Sequence, residues 1–298
     1  MLHASRLNRH PSHQASNPPM THPLPSLFVS HGSPMTALEP GAAGGFWGRL
    51  GPAIDAEFGR PRAILAISAH SLTHEPALLA AERHGAVYDF GGFPAALSEL
   101  RYDAPGAPGL AAEVVDLLHC AGMPAHNLVE GGLDHGIWTP LRWIYPQAEV
   151  PVLPLAWPPA WSPRQLFDLG AALSALKSEG VLIMGSGAIT HNLRLWAGGR
   201  GDIAAPEWRE SAAFRSWMAE RLAAADWASL LDYRRLAPEA LLMHPSDEHL
   251  LPLMIAAGAG GDATAPGLRL HDSVTWGHLG MDAYAFGQGA ARLADALA

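Results

Sequence analysis

Sixteen histidines stand in this chain against nineteen lysines plus arginines, and several occupy positions from which a backbone presents an imidazole to a cavity. His31 follows the run LPSLFVS and precedes Gly32-Ser33-Pro34, and His70 follows AILAISA. His191 comes four residues after VLIMGSG, His135 lies in GGLDHGIWTPL beside Asp134 and Trp138, and Glu248 and His249 lie in HPSDEHLLPL. A neutral imidazole is the commonest protein metal ligand, and one that titrates near neutral pH also serves as a general acid or base. The spacing matches neither a zinc finger nor the His-Glu-x-x-His helix of metalloproteases, so ligands would have to be gathered from distant parts of the chain. There is no Gly-x-Ser-x-Gly nucleophile elbow and no phosphate-binding glycine loop, and Ser33 has no recognisable triad context.

The elements that must position these residues are legible as short apolar runs and helical periodicities. Leu24 to Ser30, Ala63 to Ala69, Pro151 to Ala156 and Val181 to Gly187 read as strands buried on both faces of a sheet. Helices are expected over Pro108 to Gly122, over Ser162 to Leu176 with a Ser cap and Pro at the first helical position, and over Pro206 to Ala225. A fourth is expected over Pro245 to Ala259, capped by Ser246 and ending near Gly258. Strand and helix alternate without an internal repeat or a dividing linker, which implies an α/β fold: one layered domain over residues 26–298, after a polar, Pro-rich flexible tail over residues 1–25. His31, His70 and His191 each follow a strand, and ligands of open α/β sheets bind outside the carboxyl ends of the strands.

Local context refines the candidates. Gly32 permits a tight path after His31, while Gly185 and Gly187 leave room near His191, for which Asn192 is an orienting partner. Two glycines before Leu133 suggest a flexible loop carrying His135 to a cleft, with Trp138 as an aromatic wall. If Ser246 caps a helix, His249 occupies its third position, where the positive end of the helix dipole disfavours imidazolium and keeps the ring neutral. His244 reads as a turn residue and His74 as sharing the surroundings of His70, while His3, His10, His13 and His22 fall in the tail and carry no role.

Composition narrows the class. Of 298 residues, 49% are hydrophobic and only 16% charged, enough for a large core and against disorder. A net charge of −9 without a basic run argues against a nucleic-acid partner. No apolar run is long enough to span a bilayer and no secretory signal opens the chain, so a cytoplasmic protein without a membrane partner is expected. The single Cys120, in an apolar stretch, reads as a buried inert thiol and excludes a disulfide framework or thiolate cluster.

Taken in order, FVSHGSPMTALEP, ISAH, YDFGGFP, LDHGIWTPL, GSGAITHNLR and PSDEHLLPLMIAAGA closely resemble the class III extradiol ring-cleavage dioxygenases, and within them the 4,5-DOPA dioxygenase branch of bacteria and plants. The likeness runs from about Leu27 to Gly287. It implies a three-layer α/β/α domain with a central mixed or mostly parallel sheet and one divalent metal per chain, Fe(II) for activity or Zn(II) as the bound species. It also implies that His31 and His70 are metal ligands and that the EHLLP segment supplies the third, His249 being preferred to Glu248. By the same resemblance His191 is a fourth ligand or a free acid/base, and His135 is a catalytic residue of the substrate pocket. Tyr88, Phe90, Phe93 and Trp138 are candidates for a flat aromatic slot.

The activity so implied is cleavage of a catechol by O₂ beside its two hydroxyls, giving a ring-opened semialdehyde, with His191 or His135 taking the catechol proton and later returning one. Two other readings compete: a zinc-dependent hydrolase on the same fold, and a relative that keeps the fold only to bind a partner. The sequence leaves the particular catechol and the oligomeric state open.

Overall fold

The computed structural model describes residues 22–195 and 202–298; the expected tail, with His3, His10 and His13, lies outside the described residues apart from its last four positions. Leu24, within that stretch, is fully buried and its N–H donates to the Lys177 carbonyl.

Eight strands form the main sheet: β1 (Ser26–Ser30), β2 (Ala63–Ser68), β3 (Ala77–Leu79), β4 (His126–Leu128), β5 (Val152–Ala156), β6 (Val181–Gly187), β7 (Leu268–His271) and β8 (Ala283–Phe286). Their order across the sheet is β4-β3-β5-β2-β6-β1-β8-β7. Neighbours from β5 to β1 run parallel, whereas β8 and β7 add antiparallel at one side and β3 opposes β5 at the other. Alternate side chains feed two cores, as the two-residue period of a strand requires. Leu27, Val29, Ile64 and Ala66 point to one face, where α1 (Gly41–Phe58), α3 (His135–Ile144) and α7 (Ala290–Leu297) bring Phe46, Trp47, Ile137 and Leu293. Phe28, Leu65 and Ile67 point to the other, against α2 (Pro108–Cys120), α4 (Pro163–Leu173), α5 (Arg209–Ala223) and α6 (Leu251–Ala259). The result is the expected three-layer α/β/α domain. Among the described residues no helix is long and apolar enough to cross a membrane.

The centre of the sheet positions the site. β6 lies between β1 and β2, with Ser30 opposite Gly187 and Ser68 opposite Ser186, so the three parallel strands end level with one another. The chain leaves β1 through Gly32, whose φ of +73° few other residues adopt. His31 and His70 therefore emerge side by side over the end of β6.

Three local expectations are corrected. The helix expected from Pro245 begins only at Leu251. Ser246 Oγ turns to Glu248 Oε1 (3.1 Å) instead of capping a backbone N–H, Asp247 pairs with Arg234, and Pro252 sits in the first turn, where its missing N–H costs nothing. His249 thus lies in the turn before the helix and not at a helical N-terminus. His135, expected on a loop, is the first residue of α3, capped by the Asp134 carboxylate, which accepts from Gly136 N. Cys120 is exposed at the end of α2, facing away from the apolar stripe of Leu110, Val114 and Leu118.

The close approach of the 244–250 turn to β6 depends on glycine. A Cβ at Gly187 would lie 2.0 Å from the His249 carbonyl oxygen, which also accepts from Ala188 N at 2.8 Å. Gly187→Ala should therefore destabilise the protein by about 1–3 kcal/mol, whereas Gly45→Ala, on α1 with open space around it, should be neutral or slightly stabilising. Denaturant midpoints of the two variants check this; equal midpoints would show that the turn does not depend on the contact.

Candidate metal centre and its cavity

Nitrogen atoms of His31, His70 and His249 lie within 4.8 Å of one another at the carboxyl end of the sheet. Donor counting assigns much of their protonation. The single proton of the Ser186 hydroxyl goes to the Gly136 carbonyl, so Ser186 accepts at 3.0 Å from His31 Nδ1, and His31 Nε2 is left bare. His249 Nδ1 lies 3.2 Å from Glu248 Oε1. That carboxylate, held down to about 2 by the hydrogen bond from His249, can only accept, so His249 also keeps Nε2 free. The Nε2 atoms of His31 and His70 stand 3.2 Å apart. The bare His31 nitrogen at that distance takes either a proton from His70 or a cation shared with it, and imidazoles sharing one ion at about 2.1 Å are spaced in this way. The donor set fits a divalent metal. Glu248 stands behind His249, a carboxylate orienting an imidazole.

Burial keeps this cluster uncharged. It is the main force lowering the pKa of His31, and it takes His70 to about 3 and His191 to about 2, in each case helped by neighbouring imidazoles. His249 is lowered by burial despite its Glu248 partner. Neutral rings are what metal coordination needs, and here burial supplies that condition in place of the helix dipole.

The centre floors a cavity of about 430 Å³. His135 projects into it from α3. Its Nδ1 and its backbone N both donate to Asp89 Oδ1 at 3.0 Å. Burial pushes the Asp89 carboxyl up, but the hydrogen bonds from His135 outweigh it and hold the group below its usual range. Phe90 stands edge-on to His135, 5.7 Å between ring centres, and Phe93 lies 5.6 Å beyond Phe90; both line the cavity.

Residues 21–287 match the family described as the catalytic LigB subunit of aromatic ring-opening dioxygenase. The chain belongs to this family. Among its relatives, the 4,5-DOPA dioxygenase extradiol of Beta vulgaris is 38% identical over 266 residues, covering 88% of this chain and 96% of the relative. The Escherichia coli K12 protein of the same name is 36% identical, over 79% of this chain and 85% of its own. The crystal structure of an uncharacterized protein from E. coli K12 superposes with a TM-score of 0.71 at 28% identity, covering 88% of this chain and 99% of that one. This LigB-family chain is, in class, an extradiol ring-cleaving dioxygenase.

Within it, the expected site residues separate by place. His191 lines the cavity and stacks on His249, ring centres 3.5 Å apart, but its ligand atoms group with Glu248 and His249 and not with His31 and His70. Trp138 is fully buried, donates Nε1 to the Val87 carbonyl and backs Phe90 without lining the cavity. Tyr88 likewise stands behind Phe90, its hydroxyl given to Leu100 O. His74 is exposed, beside a different depression that it lines with His126. Asp89, Ser68, Ser186 and His278 escaped sequence reasoning. The serines had a signal, since a hydroxyl inside an apolar strand must find a partner when buried; Asp89 and His278 had none.

His244 is fully buried beneath the centre, donating Nε2–H to Ile189 O at 2.9 Å, and burial takes its pKa to about 4. A base whose folded pKa is depressed binds fewer protons than in the unfolded chain, so its contribution to stability is lost as pH falls from 6.5 towards 4. His244→Gln keeps a donor but cannot titrate. Between pH 7 and 4 the metal-free variant should lose about 2–3 kcal/mol less stability than the parent; parallel pH profiles would contradict this.

Proposed function

We propose that the chain opens a catechol ring with O₂ beside the two hydroxyls, using one divalent metal held by His31, His70 and His249. The reading is carried by one observation: three imidazoles, those of His31 and His249 buried and that of His70 half-buried, bring nitrogens within 4.8 Å of one another at a cavity walled by Phe90 and Phe93. Fe(II) is the proposed active metal and Zn(II) an alternative occupant of the same all-nitrogen set. Iron there would supply the one-electron chemistry that lets a catechol react with O₂, which side chains alone lack.

The protein's own part is binding, orientation and proton transfer. The face of Phe90 and the ring of Phe93 would hold the aromatic substrate flat against the floor. His135, its Nδ1–H fixed by Asp89, presents Nε2 as the atom to take a hydroxyl proton and hold it, and the nearby carboxylate stabilises the imidazolium so formed. His191, parallel to His249, would serve as a second acid/base in the same cavity and would fix the ligand ring it stacks on. Apolar walls limit water and with it hydrolysis of the reacting species.

A zinc hydrolase would use the same imidazoles to activate water, and O₂ dependence separates the two. Iron-reconstituted protein should consume about one O₂ per catechol with a new visible absorption from the ring-opened product; no uptake with any catechol, at verified iron load, would overturn the proposal. His135→Ala and His191→Ala should each lower kcat by roughly 10²- to 10⁴-fold, and full activity in either removes that residue from the mechanism.

The ligand assignment is tested separately by equilibrium dialysis. Single alanine variants of His31, His70 or His249 should no longer retain metal, while Glu248→Gln should retain it with roughly 10- to 100-fold weaker affinity. Undiminished binding in His249→Ala together with complete loss in Glu248→Gln would reverse the roles assigned to that pair.

A further inference from the structure

Each of the three proposed ligands has an outward ring nitrogen, and two of those nitrogens have a hydrogen-bonded partner. His31 Nδ1 donates to Ser186 at 3.0 Å, and His249 Nδ1 donates to Glu248 Oε1 at 3.2 Å. His70 is the exception. Its Nε2 faces His31, while its Nδ1 faces Asp89 Oδ2 at 3.9 Å, just beyond hydrogen-bond range. Asp89 is the only acid paired with His70 among the described residues. Its other oxygen, Oδ1, already accepts from His135 N and Nδ1, both at 3.0 Å, so Oδ2 is the atom left over. The segment carrying Asp89 is tied to the start of the His135 helix. Val87 N donates to Leu133 O at 2.7 Å, and Trp138 Nε1 donates to Val87 O at 3.1 Å. The His70 and His135 rings, 4.0 Å apart between centres, thus share one carboxylate.

We infer that Asp89 is a positioning residue for two histidines at once: Oδ1 fixes His135, and Oδ2 receives the Nδ1 proton of His70 when that ring binds the metal. The inference rests on the metal-centre reading and deepens it. A neutral imidazole carries one ring proton. A cation shared by His31 and His70 takes the Nε2 lone pair of each, so the proton of His70 then stands on Nδ1. Closing the gap to Oδ2 by about 1 Å makes a charge-assisted hydrogen bond. A carboxylate in that place makes the ring a stronger donor to the metal and fixes its orientation. Glu248 stands in the same relation to His249, so each of the three ligands would have its own oxygen acceptor. The arrangement also joins two tasks in one side chain. The group that aligns a ligand aligns the proton-transfer residue beside it, and neither ring can turn without disturbing the acceptor of the other.

The full chain loaded with zinc tests this without turnover. In proton–nitrogen NMR of histidine-labelled protein, His70 of the zinc-loaded parent should carry its proton on Nδ1, and Asp89→Asn should lose that exchange-protected signal. In equilibrium dialysis, Asp89→Asn should weaken zinc binding by roughly 10- to 100-fold. The factor should be the same whether His135 is present or already replaced by alanine, since the effect runs through His70. An unchanged zinc Kd in Asp89→Asn overturns the inference. So does a loss that disappears in the His135→Ala background, which would show that Asp89 acts through His135 alone. A His70 proton found on Nε2 in the zinc-loaded parent overturns it too, and that reading needs no variant, so it decides the question even where Asp89→Asn does not fold. Undiminished zinc binding by His70→Ala would instead remove His70 from the metal centre, an outcome distinct from the failure of Asp89 alone.

Discussion

Ser186 has one proton, and the whole centre is arranged around where it goes. It is given to the Gly136 carbonyl, which ties the central strand to the first turn of the helix bearing His135 and turns the oxygen's lone pairs to His31 Nδ1. One strand over, Ser68 makes the matching junction: its hydroxyl donates to Asp134 at 2.6 Å and accepts from His70 N at 3.1 Å. Asp134 receives Ser71 and Gly136 N as well, so that burial, which pushes its pKa up, is opposed by three donors. Two serines and one aspartate thus lock β1, β2, β6 and α3 at the place where the histidines emerge. The lock tolerates no added bulk, since a Cβ on Gly136 would lie 2.5 Å from Ser68 Oγ. Networks of this kind are costly if half satisfied and rigid if complete, and this one is complete.

Rigidity at the strand ends explains why the site can be assembled from residues far apart in sequence. Each of the three strands delivers its side chain from a backbone fixed by ladder hydrogen bonds on both sides, so the error in one position is not passed to the next. The turn carrying His249 has no such ladder. It is held instead by Gly187, whose missing side chain admits the His249 carbonyl, and by the Arg234–Asp247 pair that shapes the turn from outside. Backbone contact replaces side-chain packing there, and the small residues of β6 are its precondition.

Much of this was legible in the sequence because it rests on patterns of short range. The four apolar runs became β1, β2, β5 and β6 with ends moved by a residue or two, and the Ser162 cap appears as read, with Pro163 at the first helical position and Gln165 completing a capping box. The convergence of His31 and His70 followed from a rule about parallel sheets. What failed has a common cause: several side chains had a choice of partner that only tertiary structure decides. Ser246 was a good cap by type but found Glu248; Asp134, read only as a neighbour of His135, was the true cap of its helix. The aromatic residues were correctly drawn to one region, but which ring faces the cavity depends on Trp138 being needed to fill the space behind Phe90. Asp89 was invisible because its meaning lies in a contact with a residue 46 positions away.

The neutral state of the imidazole cluster links these features to function. Burying several basic rings together is unfavourable when any of them is charged, and the structure meets this by keeping His31 and His249 uncharged and by giving their outward protons to Ser186 and Glu248. The inward nitrogens are then lone pairs crowded at a point, with mutual repulsion that only a cation or a shared proton relieves. A divalent ion that binds the folded chain and not the unfolded one returns that free energy as stability. The same burial that keeps these rings neutral therefore leaves their inward nitrogens ready for a cation at the floor of the cavity.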